Sequence, residues 1–412
     1  MKIVHLSNND IGGAGIATVR LHKALLASGV ASTLLTKQKH SEDIPRHFQY
    51  DARNSFIKRA FVKIGLQKDE LKENALSHLA GRPAGHEHFS FPFSELDLAT
   101  HHAVKDADLI HLHWVSDGFL DFPSFFGKIN KPVVWTLHDM NPFTGGCHHA
   151  DDCSRYKENC IACPQLKNTI DENYASEMQR LKMNTLSEAG IKMQIISPSR
   201  WLMNCSAESK IFGGMEHHAI PNLADVSSFF SKDKDECRKK LGIPPDKKII
   251  LFVAKDSDNP RKGIQYLEAA MEKMSAEYVV CSVGKTKNAF PGAINFDYVN
   301  DVAKLNEIYN AADVFVLPSL AENFPNTICE ALLCGTPVVA FDTGGIPELI
   351  SLINGRLAEY KNASSLREQI KYVLSNPGEF RKEEIAVDAQ QRFDPEKIVK
   401  AHMKVYESFN VN

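Results

Sequence analysis

No hydrophobic run in this chain of 412 residues is long enough to span a bilayer. Its start, Met1-Lys-Ile-Val-His-Leu-Ser, lacks the basic, apolar and small-residue segments of a signal peptide and enters a strand at once, so a cytoplasmic location is the expectation. Neither sign of charge dominates. The formal net charge is -3, which implies no nucleic-acid partner. The first glycine turn, with Gly12, Gly13 and Gly15, lacks the Gly-x-Gly-x-x-Gly spacing, and Thr36-Lys37 stands where a dinucleotide site requires an acid. A dehydrogenase is therefore disfavoured.

What is present reads as a soluble α/β protein, 43% hydrophobic and 24% charged, whose length implies two domains. Strand-like apolar runs at 3–6, 32–36, 132–137, 248–253, 279–284, 313–317 and 337–341 alternate with helical segments, the first of them expected over 16–28 after a loop spanning 7–15. The segment from Ala321 to Ala340 carries most chemistry. Glu322 and Glu330, with seven residues between them, flank the start of a helix expected over 326–334 with Asn326 as its cap. Ligands in parallel sheets sit at the carboxyl ends of strands, and a helix N-terminus attracts a diphosphate. Carboxylates, which only accept hydrogen bonds, suit sugar hydroxyls. Glu322 is thus expected to face the sugar, and Glu330 the ribose, of a sugar nucleotide.

Lys255, Arg261 and Lys262 follow the run at 248–253, where basic groups can meet phosphate; a solvated loop is the alternative reading. His138 ends the run at 132–137, and a neutral imidazole there can hydrogen-bond a hydroxyl or simply pack. His111 and His113 alternate on one strand face and read as structural. The segment 56–68 mixes large apolar residues with Lys58, Arg59, Lys63 and Lys68, a pattern compatible either with an anionic membrane surface or with a solvated helix.

Cys147, Cys153, Cys160 and Cys163 fall at intervals of five, six and two residues. Four thiolates in a loop without its own core can hold a structural zinc, and His148 or His149 can replace one sulfur. Free thiols, an oxidised pair and an iron-sulfur cluster are the alternatives.

The ordered set resembles the retaining glycosyltransferases of family 4. It comprises the glycine loop, Thr136-Leu-His138-Asp139, Ser197-Pro-Ser199-Arg200-Trp201, Ile220-Pro-Asn222, Arg261-Lys262-Gly263, the two glutamates and Asp342-Thr-Gly344-Gly345-Ile-Pro-Glu348. The resemblance implies a GT-B fold, with two Rossmann-like parallel-sheet domains facing across a cleft. The acceptor-side domain would span 1–205, completed by a terminal helix at 394–412, and the donor domain 206–393.

The resemblance also implies His138 and Glu322 as catalytic residues, and Gly13, Lys255, Arg261, Lys262, Asn323, Phe324, Pro325, Asn326 and Glu330 as donor-binding. Asn323 stands where many members carry glycine. The expected reaction moves a sugar from a nucleotide-sugar donor to a glycan or lipid-linked glycan acceptor in cell-surface polysaccharide biosynthesis. No catalytic metal is expected, since no Asp-x-Asp signature occupies the donor segment. A sugar-nucleotide epimerase and a non-catalytic carbohydrate-binding protein on the same scaffold are the competing readings.

Overall fold

A computed structural model describes residues 1–50, 75–256, 259–285, 290 and 292–410. The segment 56–68, with its expected membrane contact, lies outside the described residues. No helix among the described residues is long and apolar enough to cross a membrane.

The chain divides into two units, Met1–Asn222 with Val399–Asn412, and Leu223–Ile398. In the first, strands β1 (Lys2–Asn9), β2 (Ala31–Gln38), β3 (His47–Gln49), β4 (Leu109–Leu112), β5 (Val133–Thr136), β6 (Met193–Ser197) and β7 (Glu216–Ala219) form one parallel sheet ordered β3-β2-β1-β4-β5-β6-β7. In the second, β8 (Lys248–Asp256), β9 (Tyr278–Lys285), β10 (Ile294–Phe296), β11 (Val314–Leu317), β12 (Val338–Phe341) and β13 (Gly355–Ala358) are ordered β10-β9-β8-β11-β12-β13, again parallel. Segments such as Val-Val-Trp-Thr and Val-Phe-Val-Leu are buried throughout, as strands covered on both faces must be. Strand order reverses between β1 and β4 and between β8 and β11, so each unit has a switch point where ligands of such sheets bind.

Two local expectations change. Gly12, Gly13 and Gly15 lie inside helix α1 (Gly12–Ala27), because β1 runs on to Asn9 and the turn is only Asp10-Ile11. Asp10 holds that turn by accepting from the backbone N–H groups of His40 at 3.0 Å and Ser41 at 2.8 Å. Second, the first unit continues past residue 205. The strand β7 pairs with β6, and its polar sequence, Glu-His-His-Ala, hides it from hydrophobic patterning.

Further helices that bear on function are α2 (Tyr174–Ala189), α3 (Ile264–Met271), α4 (Asn326–Leu333) and α5 (Pro395–Glu407). Tyr406 of α5 hydrogen-bonds His111 of β4 at 2.8 Å, so the terminal helix contributes to the first unit's interior. Asp313, just before β11, ties the second unit together. Its carboxylate accepts from Arg238 at 2.6 Å, Lys234 at 2.9 Å and the Ile249 N–H at 2.7 Å. Removing it strands the buried Arg238 guanidinium, so Asp313→Ala is expected to cost about 3–5 kcal/mol in urea unfolding. A loss under about 1 kcal/mol would show that solvent already compensates Arg238.

Candidate active site

On the second unit, three loops meet at the carboxyl ends of β8, β11 and β12. Gly263 and Gly344 let them approach. Both have positive φ, +67° and +58°, and a Cβ on them would lie 1.9 Å from the Pro318 carbonyl oxygen and 2.1 Å from that of Glu322. The Leu320 N–H donates to the Arg261 carbonyl at 2.7 Å, and the Gly345 N–H to that of Glu322 at 3.0 Å.

This frame presents a charge cluster. One oxygen of Glu322, Oε1, accepts from Arg261 Nη1 at 3.0 Å and Lys262 Nζ at 2.6 Å; all three side chains are largely buried. Arg261 Nη1 also donates to the Ala321 carbonyl at 2.7 Å. Two cations thus meet on one carboxylate oxygen at the strand ends. Lys255 instead lies exposed at the end of β8, and the contacts to Glu322 come from Arg261 and Lys262.

Asn323 and Pro325 are buried, Phe324 and Asn326 half-buried. The N-cap of α4 is Pro325, whose extended backbone sets the helix start, and no side chain caps it; Asn326 is the first helical residue instead of the cap. Its first turn carries no acid, which keeps that end suited to a phosphate. One turn on, the buried Glu330 accepts from the Tyr309 hydroxyl at 3.1 Å. Burial and the neighbouring carboxylate push the Tyr309 phenol well up, so it stays a donor. Tyr309 escaped sequence reasoning because it lies on a separate helix, Val302–Ala311, and reads there as a core aromatic.

On the first unit, His138 follows β5 and is half-buried. Its Nε2 meets His113 Nδ1 at 3.2 Å, and His113 Nε2 meets His5 Nδ1 at 3.0 Å. Burial lowers His138 to about 4 despite the adjacent Asp139, so the imidazole is neutral near pH 7. The buried Asp139 accepts from Trp114 Nε1 at 2.7 Å and the Asn141 N–H at 2.9 Å, and pairs with His148 at 2.6 Å. Burial alone would raise its carboxyl, but His148 holds it well below the usual carboxylate range. His111 and His113 are buried and hydrogen-bonded within the sheet. Gly13 lies in the first turn of α1 with open space where a Cβ would stand, whereas at Gly15 a Cβ would lie 2.8 Å from the Asn9 carbonyl.

Groups whose ligand atoms lie within 4.8 Å of one another, among the described residues, are His5 with His111 and His113, and His88 with Asp117 and His148. Their nitrogens are largely committed: His111 to Thr136 and Tyr406, His148 to Asp139 and Ser90. Cys147, Cys153, Cys160 and Cys163 are more widely spaced, yet all four line one small cavity.

Residues 247–376 match the family model described as glycosyl transferases group 1. An uncharacterized glycosyltransferase of Methanocaldococcus jannaschii is 31% identical over 384 residues, covering 84% of this chain and 88% of that protein. A putative colanic acid biosynthesis glycosyl transferase of Escherichia coli is 28% identical over 261 residues, covering 60% of this chain and 63% of that protein. Among solved structures, the HepE protein of Anabaena superposes with a TM-score of 0.65 at 17% identity, covering 99% of this chain and 100% of that one. The sucrose-phosphate synthase of Thermosynechococcus elongatus gives 0.64 at 18%, covering 99% of each. These neighbours and the two parallel sheets identify the fold as GT-B. With likeness to the archaeal relative spread over most of both chains, the protein belongs to the group 1 glycosyltransferases and is an enzyme that transfers glycosyl groups.

Proposed function

We propose that the enzyme is a retaining transferase of the family 4 type. It would move a sugar from a nucleotide-sugar donor to a glycan or lipid-linked glycan acceptor in cell-surface polysaccharide biosynthesis. The carrying observation is the pairing of Arg261 and Lys262 on a single oxygen of Glu322, beside a helix end without acid. As the sugar-phosphate bond lengthens, negative charge gathers on the departing diphosphate. Lys262, Arg261 and the N-terminus of α4 are the groups to stabilise it. Glu322, released from one cation, can then take a hydroxyl of the sugar, and Glu330, held by Tyr309, the ribose. The neutral His138 can hydrogen-bond the transferred sugar.

Relatives support the setting. They include the colanic acid enzyme, a putative teichuronic acid biosynthesis glycosyltransferase of Bacillus subtilis and a Campylobacter jejuni enzyme named for a diphospho-undecaprenol acceptor. The HepE structures hold UDP or UDP-glucose, which makes UDP-sugars the first donors to try.

Calorimetric titration with UDP-, GDP- and ADP-sugars is the test. One base class is expected to bind, with Glu330→Ala weakening it at least about tenfold through the lost ribose contact. Absence of binding across the panel would remove the proposal.

A further inference from the structure

The loop from Leu137 to Asn173, between β5 and α2, contains only three short 3-10 turns. Irregular segments of that length inside a compact unit need something to hold them. Part of the hold is ordinary: Gln179 of α2 accepts from the Cys160 N–H at 2.9 Å and donates to the Tyr156 carbonyl at 2.9 Å. The remainder converges on one cavity of about 20 Å³, lined by the side chains of Cys147, Cys153, Cys160 and Cys163. That is room for a single ion or water.

Basic side chains stand around these sulfurs. Lys182 of α2 is only 1% exposed, and among the described residues it has no carboxylate within 4.0 Å. Its Nζ donates to the Asn141 and Thr144 carbonyls at 2.6 and 3.1 Å, and Cys147, Cys160 and the Asp139 carboxylate are the acidic groups close enough to act on it. A buried ammonium with no anion in contact is costly. Arg82, close enough to Cys163 and Cys147 for their charge to act on it, donates to the Gln165 and Glu87 carbonyls at 3.1 and 2.9 Å.

We infer that Cys147, Cys153, Cys160 and Cys163 bind one zinc ion, which staples the loop. Four thiolates and Zn²⁺ carry two net negative charges, which the cations Lys182, Arg82 and Arg155 nearby can offset. The sulfurs ring the cavity more loosely than the roughly 3.8 Å spacing of a zinc-thiolate tetrahedron, so side-chain rotation draws them onto the ion. His148, next to Cys147 in the chain, pairs with Asp139 beside His138. The ion thus acts as a positioning element for the loop that follows His138.

The full chain, purified under reductant and without chelator, is expected to carry about one zinc per chain by mass spectrometry of the metal. Cys160→Ser with Cys163→Ser should reduce this below about 0.1. Because that variant can misfold, two further measurements stand beside it. Exchange of the wild-type chain into cobalt(II) should give the visible and near-ultraviolet bands of a tetrahedral thiolate site. Lys182→Met should keep the far-ultraviolet spectrum while weakening zinc about 10–100-fold in competition with a chelator. Metal below about 0.1 per chain with no cobalt bands, disulfides among the four sulfurs, or iron in place of zinc would each overturn the assignment.

Discussion

Lys262→Ala is expected to lower transfer, read as release of nucleoside diphosphate from the donor that binds, by about 10²–10³-fold. Lys262 is one of two cations that the loop after β8 delivers to the Glu322 carboxylate, with its Nζ 2.6 Å from Oε1. An ammonium aimed at a departing phosphate acts mostly in the transition state, so kcat should fall more than donor affinity. Glu322→Ala gives the discriminating contrast. Deleting the carboxylate removes an anion that both Arg261 and Lys262 contact, so affinity for the bare nucleoside diphosphate should rise severalfold while transfer still collapses. If the glutamate is only a structural clasp for the two cations, its alanine variant will lose diphosphate affinity together with Lys262→Ala. Parallel losses in both variants would therefore reject a direct role for Glu322 toward the sugar.

Much of this cluster was legible in the residues. Buried parallel strands announce themselves as unbroken apolar runs, and the order Arg261-Lys262-Gly263, Glu322, Glu330, Gly344 follows the strand ends that a switch point collects. Which cation meets Glu322 was not legible. It depends on the length of β8, which runs to Asp256 and leaves Lys255 exposed at its end, whereas Arg261 and Lys262 reach the carboxylate from a 3-10 turn at Pro260–Lys262. Tyr309 was hidden for a similar reason: its hydroxyl finds Glu330 across a helix-helix contact that no local pattern encodes. The capping role expected of Asn326 failed because a proline already in extended backbone can start a helix without a side-chain acceptor. On the first unit, His5 and His111 stand opposite each other only because β1 and β4 pair in that register, and His113 then links His5 to His138. A reading of β4 and the residue after it sees two alternating histidines and nothing of the chain of imidazoles they join.

That chain of imidazoles makes the first unit acid-labile. All 17 histidines of the sequence lie within 1–222 and 399–412, and so do its 3 tryptophans, so tryptophan fluorescence reports on this unit alone. Burial holds His5, His111 and His113 well below the ordinary histidine value and lowers His22 to about 4. Above about pH 6.5 these groups are neutral in both folded and unfolded chains and cost nothing. Below it the unfolded chain takes up protons that the folded one refuses, so stability falls as pH drops toward 4. Each such histidine tilts the curve by up to about 1.4 kcal/mol per pH unit. His88, raised by its bond to Asp117, works in the opposite sense, but it is a single, largely exposed group. Asp139 and Asp313, both held low, contribute stability that is lost only below the ordinary carboxylate value, outside this window. The expected result is a urea midpoint by tryptophan fluorescence that falls steeply between pH 6.5 and 5. Hydrogen exchange in β8, β11 and β12, in a unit without histidine, should stay protected over the same range. A flat midpoint, or loss of protection in both units together, would mean that the buried imidazoles find protons or water in the folded state, and with that the neutral His138 proposed to meet the sugar would have to be given up.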